Sequence, residues 1–77
     1  MELKQILTDI ARAIVDNPDE VSVEQTIDGD DVELVLTVAE SDTGMVIGRH
    51  GRIAKAIRQV MKAAANNCGK HVTVEIK

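Results

Sequence analysis

M-V-I-G-R-H-G-R-I-A-K-A-I, residues 45 to 57, is the stretch on which the reading of this chain turns. Gly48 and Gly51 stand three apart between two segments of helical pattern. Without Cβ atoms they permit backbone angles closed to other residues. They let a phosphate come close to the main chain, and they put N–H groups at the start of the following helix, where the helix dipole favours an anion. Arg49 and His50 add donors at the tip, and Arg52 and Lys55 extend the positive edge. A G-x-x-G by itself is more often a plain turn between helices, so the flanking elements have to decide between turn and ligand loop.

Downstream, the pattern predicts a helix from about Arg52 to Asn66, stopping near Cys68-Gly69 because glycine terminates helices readily. At about 100° per residue, Ile53, Ile57, Val60, Met61 and Ala64 gather on one side, and Ile53, Ile57 and Val60 are expected in the core. Arg52, Lys55, Arg58, Gln59 and Lys62 gather opposite. Residues 71 to 76 read as a strand with Val72, Val74 and Ile76 inward. Upstream, Ser41-Asp42-Thr43 is suited to cap a short helix reaching about Ile47. Val32, Leu34, Leu36 and Val38 alternate along a strand. The D-G-D-D run at 28 to 31 makes a turn and lacks the later ligands of a calcium loop. Val21, Val23 and Ile27 mark the inner face of a first strand over 21 to 27. Residues 2 to 16 carry Leu3, Ile6, Leu7, Ile10, Ala11 and Ile14 on one helical stripe that Pro18 brings to an end.

The order α-β-β-α-α-β gives an α+β fold, with residues 1 to 77 as one domain. Each strand has one strongly apolar face, so the helices belong on one face of a three-stranded sheet. The long connection between the second and third strands suits a parallel, right-handed crossover, which makes the sheet mixed. Its open face would show Ser22, Glu24, Thr26, Glu33, Val35, Thr37, Thr73 and Glu75.

Composition narrows the function. The 77 residues include no Phe, Trp or Tyr, which removes ring stacking of bases, sugars or methylammonium groups. One cysteine excludes an internal disulfide and a Cys-based zinc site. No apolar run is long enough for a membrane helix, and M-E-L-K-Q-I-L does not read as a secretory signal, so a cytoplasmic setting without membrane contact is expected. The net charge of −4 is segregated: residues 1 to 43 hold 12 acids against Lys4 and Arg12, whereas residues 44 to 77 hold Glu75 against seven cations. A polyanion responds to the local patch, so the acidic total does not argue against nucleic acid.

V-I-G-R-H-G, the apolar-patterned helix after it and the α-β hairpin before it resemble the KH domain, whose signature is V-I-G-x-x-G, in its type II arrangement. The resemblance covers nearly the whole chain and is to small bacterial proteins made of a single KH domain. It implies binding of single-stranded RNA across the loop, with Val46, Ile47, Gly48, Arg49, His50, Gly51, Arg52 and Lys55 as site residues and no cofactor or metal. It also implies a role as RNA chaperone or post-transcriptional regulator, a homodimer, and pairing with a larger KH-containing protein of the KhpB (Jag) kind. The alternative is a dimerisation module with a KH fold and little RNA binding, against which Arg49 and His50 between the glycines speak. A KH loop grips about four nucleotides by their backbone. The bases then lie in an aliphatic groove, for which Met45, Val46, Ile47, Ile53 and Ala54, with Val38 further off, are the candidates. An RRM would need aromatics on the open sheet face, where this chain has none.

Arg49, Arg52 and Lys55 suffice for two to four phosphates, a log–log salt slope of about −1.4 to −2.8. One such site binds weakly, on the order of micromolar. Two joined sites gain ~10²- to 10⁴-fold, a physical reason for a dimer, with Val15, Val35 and Ala63 to Ala65 as contact candidates. His50 carries the side chain whose charge changes near neutral pH, so affinity is expected to rise as pH falls from about 7.5 to about 6. Cys68 has neither a resolving Cys nor a catalytic His in register and reads as a buried or half-buried structural thiol. No paired carboxylates or nucleophile–base pair points to an enzyme.

Overall fold

A computed structural model describes residues 2 to 77. Six regular elements follow in the expected order: α1 (Leu3–Ile14), β1 (Ser22–Asp28), β2 (Asp31–Thr37), α2 (Thr43–Ile47), α3 (Arg52–Asn67) and β3 (His71–Ile76). Short 3₁₀ turns at Pro18–Glu20, Glu40–Asp42 and Arg49–Gly51 join them. The sheet order is β1-β2-β3, with β1 antiparallel and β3 parallel to the central β2. The hairpin closes through Gly29-Asp30 between the paired Asp28 and Asp31, and Gly29 takes the positive φ of 63° that two-residue hairpins need at their first central position. The His71 amide donates to Asp30 O at 2.8 Å, which starts β3 level with that turn.

Alternation on β2 buries Val32, Leu34 and Leu36, and Val38 just beyond it, under the helices. Leu7, Leu34, Leu36, Val46 and Met61 are almost wholly enclosed. Each such side chain adds about 1.5–3 kcal/mol of transfer free energy. A core without rings is built from aliphatic volume alone. The α3 terminus is set by glycine as expected. Gly69 (φ 71°) allows its amide to bond Asn66 O at 3.1 Å, while the Lys70 amide bonds Ala65 O at 2.8 Å. This pair of bonds satisfies carbonyls that the helix would otherwise leave open.

Three expectations fail, each for a packing reason. The buried stripe of α3 is Ala54, Ile57, Met61 and Ala65, and Ile53 and Val60 are 37% and 50% exposed. The helix is turned by about 60° from the side that its largest apolar residues suggest. It lies over β3, α1 lies over β1 and β2, and small Ala54 and Ala65 let α3 settle onto the sheet. Ile53 and Val60 are left on the seam between the helices. Ile27 shares its strand face with buried Val23 yet is 58% exposed: it lies at the end of the edge strand β1, and its partner Val32 on the central strand takes the buried place. Val15 and Ala65, read as surplus surface residues, are core.

Cys68 is exposed and not the buried or half-buried thiol expected, and Asp42 also departs from its expected role. Its side chain makes no cap to α2. Instead it is buried and accepts from the Asn17 amide N–H at 2.9 Å and from Asn17 Nδ2 at 3.0 Å. A buried carboxylate needs such partners. The bond ties the α1–β1 connection to the start of α2, 25 residues away, and so braces the segment that leads into the glycine loop.

Candidate nucleic-acid interface

The loop is built from its two glycines. The Gly48 amide closes α2 by donating to Gly44 O at 2.8 Å, and the Gly51 amide donates to Gly48 O at 3.3 Å. Between them, the amides of Arg49 and His50 enter no backbone bond outside the regular elements. Gly48 sits at φ 75°, ψ 176°, a region closed to side-chain-bearing residues, and Gly51 at φ 72°, ψ 16° in the left-handed helical region. His50 joins it there at φ 57°, ψ 27°. Histidine is among the few non-glycine residues enriched in that region. The loop therefore holds three unusual conformers within four residues, and it leads directly into the N-terminus of the long helix α3.

A Cβ at Gly51 would meet nothing within 4 Å, whereas one at Gly48 would lie 2.7 Å from Ile53 Cγ1 and 2.9 Å from Ile53 Cβ. Gly48 is thus the place where the loop rests on α3, and Gly51 is its free side. Arg49, His50, Arg52 and Lys55 are all exposed. The described residues give this loop no ion pair, since the one that they form joins Lys70 to Asp30 at the far hairpin. A bend rimmed by exposed cations, with two amides that enter no backbone bond outside the regular elements, offers donors to a phosphate chain.

The expected site residues separate. Arg49, His50, Arg52 and Lys55 are exposed, Ile47 is 40% exposed, and Gly48 and Gly51 are half-buried. Val46 is wholly buried, so it anchors α2 in the core and is not a contact surface. Ala54 and Val38 are likewise core, whereas Met45, Ile47 and Ile53 present apolar surface near the loop. On α3, Arg58 is committed elsewhere: its Nε donates to Val74 O at 3.3 Å and pins the helix to β3. Lys55 and Lys62 share that flank. A groove between the two long helices escapes the sequence pattern. Ile10 and Ile14 of α1 face Ile53, Ala56, Ile57 and Val60 of α3 across an apolar space of about 440 Å³ with Arg52 at its rim. Its sequence signal is an α3 apolar stripe wider than one sheet contact needs.

A mixed α-β-β-α-α-β sheet with a cationic G-x-x-G bend between a short and a long helix defines a KH domain of the type II arrangement. The family model "KhpA/KhpB, KH domain" matches residues 4–76, and the chain belongs to that family. It is 53% identical over 74 residues to the RNA-binding protein KhpA of Clostridium acetobutylicum, covering 96% of this chain and 99% of that one. It is 40% identical to the RNA-binding protein KhpA of Bacillus subtilis, covering 96% and 91%. The KhpA of Aquifex aeolicus is 39% identical over 96% of this chain and 94% of its own. Among solved structures, an Era chain crystallised with MgGDPNP and nucleotides 1506–1542 of 16S ribosomal RNA matches with a TM-score of 0.62. Identity there is 21%, covering 96% of this chain and 28% of that chain, so the likeness speaks for the fold.

Proposed function

We propose that this chain binds single-stranded RNA by gripping its backbone at Gly48-Arg49-His50-Gly51, with Arg52 and Lys55 neutralising adjacent phosphates and Ile47 offering aliphatic surface to a base. Val46 and Gly48 hold that surface in place from behind. The observation that carries the reading is the bend itself, whose Arg49 and His50 amides stand open among exposed cations. The family and the KhpA relatives support the same ligand. With a short, ring-free contact, recognition is sequence-tolerant, which suits an RNA chaperone or post-transcriptional regulator in the cytoplasm. Nothing in this reading calls for a cofactor, a membrane or catalysis, and among the described residues no helix is long and apolar enough to cross a membrane.

The protein acts as a homodimer in this reading, which gives one RNA strand two weak sites. The α1–α3 groove supports it, since exposed Ile53 and Val60 are costly to leave in water. A larger KH-containing protein of the KhpB (Jag) kind is the competing occupant of that face. The test of RNA binding is the double variant Arg49→Asp with His50→Asp, assayed by gel shift after circular dichroism has shown it folded. A drop of at least about 100-fold in affinity is expected, because two charges reverse at the phosphate contact itself. A folded double variant with wild-type affinity removes the loop from the function.

A further inference from the structure

The two edges of the sheet are not alike. The amides of His71 and Lys77 donate to Asp30 O and Leu36 O, each at 2.8 Å. The odd-numbered residues of β3 therefore turn their backbone groups toward β2, and Val72, Val74 and Ile76 turn theirs outward. Arg58 reaches over that edge and donates through Nε to Val74 O at 3.3 Å. The same parity runs across β2, whose even-numbered residues bond β3 and whose odd-numbered residues bond β1. Opposite Asp31, Glu33 and Val35 stand Asp28, Thr26 and Glu24, which leaves the N–H and C=O groups of Val23, Gln25 and Ile27 on the outer edge of β1. Among the described residues, no backbone bond beyond the strand ladder reaches any of these three. The register of β1 is unbroken over Ser22–Asp28, with no proline and no bulge to turn a further strand away. We propose that this edge takes an extended segment of a partner protein as a fourth strand, one in which basic and aliphatic side chains alternate. The proposal stands apart from RNA binding and uses none of the loop residues.

The two faces beside the edge select that chemistry. A strand added to β1 lies about 4.8 Å from it, and its side chains alternate between the open face and the helix face. On the open face, β1 and β2 present Glu24, Asp28, Asp31 and Glu33, all exposed, and no cation. Asp28, Asp31 and Glu33 line, with Thr26 and Thr73, a hollow of about 450 Å³. A lysine or arginine opposite Glu24 or Asp28 meets the opposite charge across the strands, and its stem is long enough to lie over the hollow. On the helix face, Ile27 is 58% exposed and borders a notch of about 140 Å³ lined in part by Leu3, Val32 and Cys68. An aliphatic side chain on that side covers it. Charge disfavours the other occupants. The four acids repel RNA. A second copy pairing β1 with β1 joins two acidic open faces edge to edge, and like charges side by side oppose that pairing.

The probe is a fluorescent heptapeptide of alternating lysine and valine, read by anisotropy. Its control holds the same residues in two blocks. Gln25→Pro removes an N–H that bonds nothing in the fold and sets a ring where the added strand would pair, a change that edge strands accept. Its affinity for the alternating peptide falls about tenfold or more, with RNA affinity unchanged. Glu24→Lys with Glu33→Lys, which reverses the open face at exposed positions, shows a similar fall. In the wild-type protein, hydrogen exchange followed by NMR slows at the Gln25 and Ile27 amides when peptide is added and stays the same at Arg49 and His50. That measurement decides the matter should Gln25→Pro unfold. A blocked peptide that binds as well as the alternating one means charge attraction without strand pairing and overturns the proposal. So does a folded Gln25→Pro protein with undiminished affinity, protection that arises at the glycine loop instead, or an alternating peptide that does not bind. A Gln25→Pro protein that loses self-association in place of peptide binding gives the edge to a second copy and overturns it equally.

Discussion

Helix α3 has two flanks that differ in everything but their register. The flank toward β3 carries Lys55, Arg58 and Lys62, with Arg58 bonded to the edge strand through Val74 O. The flank toward α1 carries Ile53, Ala56 and Val60 and is apolar along the groove. In a domain with no aromatic side chain, one helix thus carries a cationic side and an aliphatic side. The two meet only in the first turn, where Arg52 rims the groove and Ile53 supports Gly48. Separate demands on one helix are compatible because about half a turn divides them.

The substitution that breaks this division most severely is Gly48→Ala. It forces a side chain into a backbone region held essentially by glycine alone and pushes Ile53 off the loop. Strain and overpacking together should cost about 3 kcal/mol, a Tm lower by roughly 12 to 24 °C in a thermal melt. Gly51→Ala differs, since its Cβ meets nothing and only the left-handed backbone is penalised, about 1 kcal/mol. Two melts lowered equally would mean that Ile53 gives way freely and that the flanks are not joined at Gly48.

The cationic flank is tested without touching the fold. Lys55→Gln with Lys62→Gln alters exposed side chains only, so stability and self-association should stay put. Removing one cation from a phosphate makes the log–log salt slope shallower by about 0.7, so the double variant should flatten it by up to about 1.4 and bind RNA several-fold more weakly at low salt. A slope that does not change would place the strand on the other side of α3.

The elements themselves were legible because their signals are local. Alternation on Val32 to Val38, the D-G-D-D turn, Gly69 after the last helical turn and the V-I-G-R-H-G string each mark a boundary from neighbouring residues alone. The loop was legible for the same reason, since glycine spacing and adjacent cations lie within eight residues. What escaped depends on how elements meet. The rotation of α3 follows from where small Ala54 and Ala65 touch the sheet, and size alone made Ile53 and Val60 look like the better core residues. Asp42 fits an N-cap by type and position, but its partner Asn17 comes from another connection. Val46 belongs to the family string yet serves the core, which only burial reveals.

The smallest expected effect concerns His50, at the tip where neither flank reaches. Its backbone lies at φ 57°, ψ 27°, so the control must be a residue that accepts that conformation, and asparagine does. The imidazole is one donor at the tip, and asparagine replaces it with an amide donor, so His50→Asn should leave RNA affinity within about twofold of wild type, whereas His50→Asp, which sets an anion beside the phosphate, should lower it about two- to fivefold in a gel shift. His71→Asp should leave affinity unchanged, because His71 begins β3 beside the Asp30 turn and far from the loop in the sheet. A loss at His71→Asp equal to that at His50→Asp would move a phosphate contact from the glycine loop to the opposite end of the strand layer.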